Sequence, residues 1–201
     1  MIVKNKQRKR PAVFLDRDGT ICKEIGYLSR VEDIVLLPGS VEAIRKINQS
    51  GAAAVLISNQ SGVARGFFPE TVVQTINRAL AETLAKEGAH LEGMYYCPHH
   101  PDGKPPYNIV CNCRKPAPGQ IYRSMDELNL TLSGSVVIGD KWSDVETAQN
   151  LNIPGILVLT GYGKKELEKY RQHWERPPAF IAENLLAAVE WWIWQRKQMS
   201  G

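Results

Sequence analysis

The stretch that most constrains this chain is Val13-Phe14-Leu15-Asp16-Arg17-Asp18-Gly19-Thr20. Three apolar residues deliver two carboxylates, one residue apart, onto a turn opened by glycine, which reads as a buried strand running out into a reactive loop. Residues i and i+2 of a strand point the same way, so Asp16 and Asp18 are expected to face one pocket. Carboxylates held that close repel, and a divalent cation or a shared proton relieves the repulsion. Asp-x-Asp-Gly is also ordinary turn composition. A calcium loop is excluded by spacing: counted from Asp16, the glycine comes too early, and the twelfth position is Tyr27 where a bidentate Glu is needed.

The later chain repeats the pattern of an apolar run ending in polar residues and glycine. Residues 52–57, 91–96, 136–138, 156–159 and 180–181 read as strands. Helices are expected from Ser40, with Val41, Ile44 and Ile47 on one face, to Gly51, and from Pro69, with Val72, Ile76, Leu80 and Leu84 in a stripe, to Gly88. Further helices are expected over 119–128, 144–150 and 184–196. Alternating strands and helices predict an α/β, Rossmann-like, doubly wound parallel sheet. Ligands of such sheets sit beyond the carboxyl ends of the strands, where Asp16, Ser58 and Asp140 all fall. Residues 24–37 read as irregular, with Gly26-Tyr27 over the pocket.

Length and composition allow one domain over 11–201, and 43% hydrophobic with 23% charged residues is ordinary for a soluble protein. No apolar run spans a bilayer and no signal-peptide core opens the chain, so a cytoplasmic protein without a membrane partner is expected. The first ten residues hold five of the 25 Lys and Arg and none of the 21 acids. They read as a flexible basic terminus, and the body, 20 basic against 21 acidic side chains, is near neutral and unsuited to nucleic acid.

Individual residues leave alternatives open. Ser58, after a buried strand and before a glycine, suits a phosphate or a helix cap. Lys115 is pushed out of the helical region by Pro116 and presents a positive charge. Asp140 ends an apolar strand and supplies a third carboxylate for a Mg²⁺ site of oxygens, whereas Asp144 is equally a site residue or first-turn dressing of a helix. Residues 98–118 are rich in Pro, Gly, His and Cys and need a staple. Cys111 and Cys113 lie in this segment and Cys97 directly before it, which in a reducing compartment favours a metal over disulfides, while Cys22 reads as a small buried residue.

Taken together, Asp16-Arg17-Asp18-Gly19-Thr20, Ser58-Asn59-Gln60, Lys115 and Gly139-Asp140-Lys141-Trp142-Ser143-Asp144 resemble the four ordered motifs of the haloacid dehalogenase superfamily of phosphatases. The resemblance spans nearly the whole chain. It implies an aspartyl-phosphate mechanism in which Asp16 attacks phosphorus, Asp18 acts as acid and then base, and Ser58 and Lys115 hold the phosphoryl oxygens. It also implies Mg²⁺ held by the Asp16 carboxylate, the Asp18 main-chain carbonyl and Asp140. Cys97, His99, Cys111 and Cys113 offer a closed tetrahedral set for a structural Zn²⁺ in a loop over 97–113, with His100 as the competing histidine.

That loop, with residues 59–66 and 96–101, is similar to the sugar-bisphosphate phosphatases of the superfamily; the histidinol-phosphate phosphatases share the catalytic motifs and zinc ligands. The first similarity implies substrate contacts from Glu24, Ile25, Gly26, Tyr27, Ser58, Asn59, Gln60, Ser61, Arg114, Lys115 and Lys141. The planar fork of Arg114 suits a second phosphate. A small phosphorylated sugar as substrate and a monomeric protein are therefore expected. A zinc scaffold without catalysis would leave unexplained why every catalytic position holds a competent residue. Trp191, Trp192 and Trp194 read as packing or a partner contact.

Overall fold

The computed structural model of the protein describes residues 9–198. One parallel sheet is built from β1 (Arg10–Leu15), β2 (Ala53–Asn59), β3 (Gly93–Cys97), β4 (Leu130–Gly139), β5 (Gly155–Val158) and β6 (Phe180–Ala182), in the order β3-β2-β1-β4-β5-β6. The helices are α1 (Ser40–Gln49), α2 (Ser61–Ala64), α3 (Glu70–Lys86), α4 (Gly119–Leu128), α5 (Trp142–Asn150), α6 (Gly163–Tyr170) and α7 (Leu185–Gln198). Alternation along β1 divides the core. Val13 and Leu15 face a cluster with Ile44 and Ile47 of α1, Leu80 and Leu84 of α3, and Val189 and Trp192 of α7. Ala12 and Phe14 face Ile121 of α4 and Ala148 of α5. The central strands are covered on both sides, which is why they read as continuous apolar runs.

Some boundaries differ from the sequence reading. Arg10 pairs with Leu130 as the first residue of β1, so the expected flexible terminus stops short of it; residues 1–8 lie outside the described part. β4 begins at Leu130, six residues before its apolar run, and its pairing with β1 shifts register between Pro11 and Val13. There Ser135 Oγ accepts the Ala12 N–H at 2.8 Å, so side-chain bonding supports strand where apolar patterning is absent. α5 starts at Trp142 rather than at 144, because Asp144 Oδ2 accepts the Lys141 main-chain N–H at 3.1 Å and closes the first turn. α6, GKKELEKY, was not expected: only Gly163 of it is buried, and a helix without an apolar stripe leaves no periodic signal. Trp192 is buried and its Nε1–H donates to Gly134 O at 3.1 Å, Trp191 stacks on Phe180 at 4.9 Å, and Trp194 is exposed. Among the described residues no helix is long and apolar enough to cross a membrane.

Candidate active site

Because the strands are parallel, their carboxyl ends share one edge of the sheet. Leu15 lies beside Leu56 and Ile138, and the Asp16 N–H donates to Ile138 O at 3.0 Å. Asp16, Ser58 and Asp140 therefore emerge together, and all three are buried. Lys115 reaches them from the loop before α4. Its Nζ lies 2.8 Å from Asp16 Oδ1, 2.6 Å from Asp144 Oδ1 and 2.9 Å from Ile57 O. Asn59 holds the lysine's main chain from both sides, accepting from Lys115 N and donating to Lys115 O, each at 3.0 Å. The Lys115–Pro116 peptide is cis.

The carboxylates that cluster are Asp16, Asp140 and Asp144, with oxygens within 4.8 Å of one another. Asp144 is thus a member of the site as well as a first-turn helix residue. Burial pushes Asp16 up, but Lys115 and Lys141 outweigh it and hold its carboxyl below the ordinary range. Burial likewise disfavours charge on Lys115 and Lys141; their acidic neighbours outweigh it and both stay protonated. Three buried acids against two lysines leave the pocket one positive charge short. Asp140 and Asp144 share the deficit: burial raises both, and burial and then Asp16 push Asp140 up to about 8. Its Oδ2 accepts the Tyr162 N–H at 2.8 Å, whereas its buried Oδ1 has no partner. Gly19 (φ +83°) and Gly161 (φ +53°) close over this carboxylate, and a Cβ on either would strike Asp140 Oδ2.

Asp18 departs from the expectation that both aspartates of the motif face each other. Its carboxylate is turned onto its neighbour: Arg17 donates from Nε to Oδ1 at 3.1 Å and from Nη2 to Oδ2 at 2.8 Å, and Gln60 Nε2 donates to Oδ2 at 2.9 Å. Arg17 is 1% exposed and also donates to Asn77 of α3 and to Gln60 Oε1, both at 3.0 Å. Alternation predicts a shared pocket only while the chain stays extended, and it stops being strand at Leu15. The ligand implied for Asp18 is its main-chain carbonyl, which this turn of the side chain leaves unaltered. Gln60 Nε2 also donates to Ser58 Oγ at 2.8 Å, linking the acid to the phosphate-binding candidate.

A cleft of about 310 Å³ opens here, lined by Asp18, Glu24, Gly26, Tyr27, Asn59, Gln60, Ser61, Gly62, Lys141 and Tyr162. Glu24 accepts the Gly26 N–H at 2.6 Å and meets Lys141 Nζ at 3.3 Å, tying the 24–27 loop to the end of β4. Ile25 is exposed. Tyr27 meets Phe67 edge-on, with ring centroids 4.6 Å apart, at the outer rim. Arg114 is half-buried and donates from Nη1 to His99 O at 3.1 Å.

In the loop after β3, Cys97, His99, Cys111 and Cys113 converge. Cys97 Sγ is 3.5 Å from Cys111 Sγ and 3.7 Å from His99 Nδ1; Cys113 Sγ is 3.3 Å from Cys111 Sγ and 3.4 Å from His99 Nδ1. Ligands 2.0–2.3 Å from a tetrahedral zinc stand about 3.5–3.8 Å apart, so the cluster fits that ion. The Cys97 thiol hydrogen-bonded to Cys113 draws the latter down to about 5, and Cys97 is pushed up in return. His100 points elsewhere, toward Arg65.

Several residues of the site carried no sequence signal. Gln120, buried at the start of α4, accepts from Ser58 N at 2.9 Å and donates to Ser58 O at 3.2 Å and to Cys113 O at 2.8 Å, coupling β2 to the cysteine loop. Asn77, deep in α3, holds Arg17. Thr160, two residues past the end of β5, donates to Gly19 O at 2.6 Å; here a signal existed, since the Thr160-Gly161 pair after an apolar strand repeats the hydroxyl-and-glycine pattern.

A buried aspartate kept ionised by lysine, in a pocket that still lacks one positive charge, is suited to take up a phosphoryl group together with a cation. On a parallel sheet of this order it defines the class, the phosphoric monoester hydrolases of haloacid dehalogenase (HAD) type. Residues 112–188 match the family described as HAD-hydrolase-like. The chain is 43% identical over 187 residues to the D-glycero-D-manno-heptose-1,7-bisphosphate 7-phosphatase of Thermosynechococcus vestitus, covering 90% of this chain and 95% of that one. It is 41% identical over 155 residues to the D-glycero-beta-D-manno-heptose-1,7-bisphosphate 7-phosphatase of Yersinia pestis, covering 77% and 82%. Among solved structures, the D,D-heptose 1,7-bisphosphate phosphatase of B. bronchiseptica, complexed with magnesium and phosphate, superposes with a TM-score of 0.80 at 30% identity over 92% of this chain and 99% of that one. The chain belongs to the D-glycero-D-manno-heptose-1,7-bisphosphate 7-phosphatase family of the HAD hydrolases.

Proposed function

We propose that this chain is a Mg²⁺-dependent phosphatase that removes the 7-phosphate of D-glycero-D-manno-heptose 1,7-bisphosphate and leaves the 1-phosphate. The observation that carries the chemistry is Lys115 Nζ, held 2.8 Å from Asp16 Oδ1 and 2.6 Å from Asp144 Oδ1 in a buried pocket. An aspartate kept ionised in this way serves as nucleophile. Asp16 attacks phosphorus and the ester P–O bond breaks, while Asp18, turned away from Arg17 and Gln60, gives its proton to the departing sugar oxygen. Asp18 then takes a proton from water. That water attacks the aspartyl phosphate, breaks its bond to Asp16 and releases inorganic phosphate.

Lys115 and the Ser58 hydroxyl hold phosphoryl oxygens, and Asp144 keeps Lys115 in place. The Asp16 and Asp140 carboxylates and the Asp18 main-chain carbonyl would hold Mg²⁺, which when bound neutralises charge on the phosphoryl oxygens; the unpartnered Asp140 Oδ1 is the oxygen that fits it. A structural Zn²⁺ on Cys97, His99, Cys111 and Cys113 would fix where Arg114 and Lys115 point. The loop 24–27, residues 58–61, Lys141 and Arg114 contact the sugar, with Arg114 toward its 1-phosphate end.

The names of the relatives support the substrate, and phosphate release across a panel of sugar bisphosphates with histidinol phosphate included tests it. Heptose 1,7-bisphosphate should give the highest kcat/KM and a product that retains the 1-phosphate. A preference for histidinol phosphate would move the assignment there.

A further inference from the structure

Beside the cleft, the loop that follows His99 is laid against the end of α2. The Lys104 N–H donates to Ala64 O at 2.6 Å, and the Lys104 side chain runs alongside Gly66. This brings His100 against Arg65, with Arg65 Nη2 3.4 Å from His100 Nε2. Arg114 stands on the other side, 3.1 Å from the carbonyl of the peptide that joins His99 to His100.

The hydrogen-bonding roles in this cluster do not match. The Asp102 N–H donates to His100 Nδ1 at 3.2 Å, so in the neutral ring the proton sits on Nε2. Nε2–H then faces a guanidinium N–H, and two donors meet with no acceptor between them. Arg65 Nε is a second unsatisfied donor, buried and without a partner among the described residues. Buried donors are normally paired, and an exception requires an explanation. The nearby acid, Asp102, has an 84% exposed side chain with its carboxylate 3.8 Å from Nδ1, on the opposite edge of the ring from Arg65.

We propose that Arg65 and His100, with Arg114, form the subsite for the phosphate that is not cleaved, and that Arg65 is a specificity-determining residue for bisphosphate over monophosphate substrates. The phosphate oxygens supply the acceptor that Arg65 Nη2 and His100 Nε2 both lack. Arg114 alone cannot make this discrimination firmly, because one of its nitrogens is already given to His99 O. The proposal rests on the phosphatase reading above and adds to it the residues that read the far end of the substrate.

The experiment compares wild type, Arg65→Met, Arg65→Lys and His100→Gln on heptose 1,7-bisphosphate and on 4-nitrophenyl phosphate, with fructose 1,6-bisphosphate and fructose 6-phosphate as competitive inhibitors. Arg65→Met should raise KM for the bisphosphate roughly 10- to 100-fold, the range for a lost hydrogen bond to a charged group, with kcat within about threefold. Its loss of kcat/KM on the bisphosphate should exceed that on the monophosphate at least about tenfold. Arg65→Lys should recover part of the loss, since a point charge remains without the fork. Equal losses on both substrates, or no loss on the bisphosphate, would overturn the subsite. If the wild type fails to hydrolyse the heptose yet binds the fructose bisphosphate more tightly than the monophosphate, and Arg65→Met abolishes that difference, the subsite stands and only the sugar assignment falls. Zinc content and melting temperature of each variant separate these results from misfolding.

Discussion

The acidic pocket and the cysteine loop lie at the same edge of the sheet but are held there by different means. Asp16 and Asp140 are fixed by strands whose main-chain bonds and covered faces leave them no freedom, and the site they form is polar inside a rigid frame. The cysteine loop has neither strand nor helix between β3 and α4. Its own staples are the Cys97, His99, Cys111 and Cys113 cluster, the Gln120 bonds and the phenols of Tyr96 and Tyr107, which both donate to Glu70 at 2.9 Å. Lys115 belongs to both regions, carried by the loop while its Nζ lies against Asp16 and Asp144 in the pocket. On the proposed mechanism, chemistry falls to the part of the fold that strands hold, and substrate discrimination to the part that the cysteine cluster gathers.

The largest effects should come from the pocket. Asp16→Asn should abolish turnover, because an amide cannot form the acyl phosphate, and Asp18→Asn should lower kcat roughly 10²- to 10⁴-fold, the usual size of a lost acid or base. Both variants should retain zinc and melting temperature, since the frame is untouched. Turnover by Asp16→Asn in a coupled phosphate assay would remove this nucleophile.

Perturbing the loop should act more indirectly. Cys113→Ser, or chelation of zinc followed by restored Mg²⁺, should lower kcat/KM by freeing Lys115, while proteolysis becomes faster between residues 98 and 118 and the sheet stays folded. The purified protein should hold about one zinc per chain. Full activity in zinc-free protein would show that the loop does not depend on the metal.

At the join of the two regions, Arg114→Ala should weaken kcat/KM for the bisphosphate by about 1.5–3 kcal/mol and affect a monophosphate much less. An equal effect on both would return Arg114 to the pocket side of the comparison.

The smallest effect is the pH dependence of metal stabilisation. Because the folded protein raises Asp140 to about 8, that residue contributes stability at low pH that is lost as pH climbs from about 4 through about 8. A cation bound there competes with the proton, so the rise in melting temperature caused by Mg²⁺ should be larger at pH 9 than at pH 6. An identical rise at both would exclude Asp140 as the group that titrates with the metal.

How much of this was legible depended on the range of each interaction. Val13-Phe14-Leu15, 52–57 and 136–138 are apolar because both faces of the sheet are covered, so burial wrote the central strands into the sequence, and a parallel sheet then brings their carboxyl ends together. β4 before Val136 and the helix α6 were missed because a serine hydroxyl and an exposed helix surface leave no periodic trace. The sequence by itself determined the parallel sheet, the meeting of Asp16, Ser58 and Asp140 at one edge, and the grouping of Cys97, Cys111 and Cys113 with His99; Lys115 joined them through its motif resemblance. The tertiary structure alone decided that Asp18 turns onto Arg17, that Asp144 completes the acid cluster, and that His100 faces Arg65. Strand ends are set by backbone periodicity, which neighbouring residues encode. The direction of a polar side chain is set by whichever partner folding places beside it: Gln60 fixes Asp18 from 42 residues away and Arg65 faces His100 from 35, while even the adjacent Arg17 is aimed by Asn77, 60 residues on.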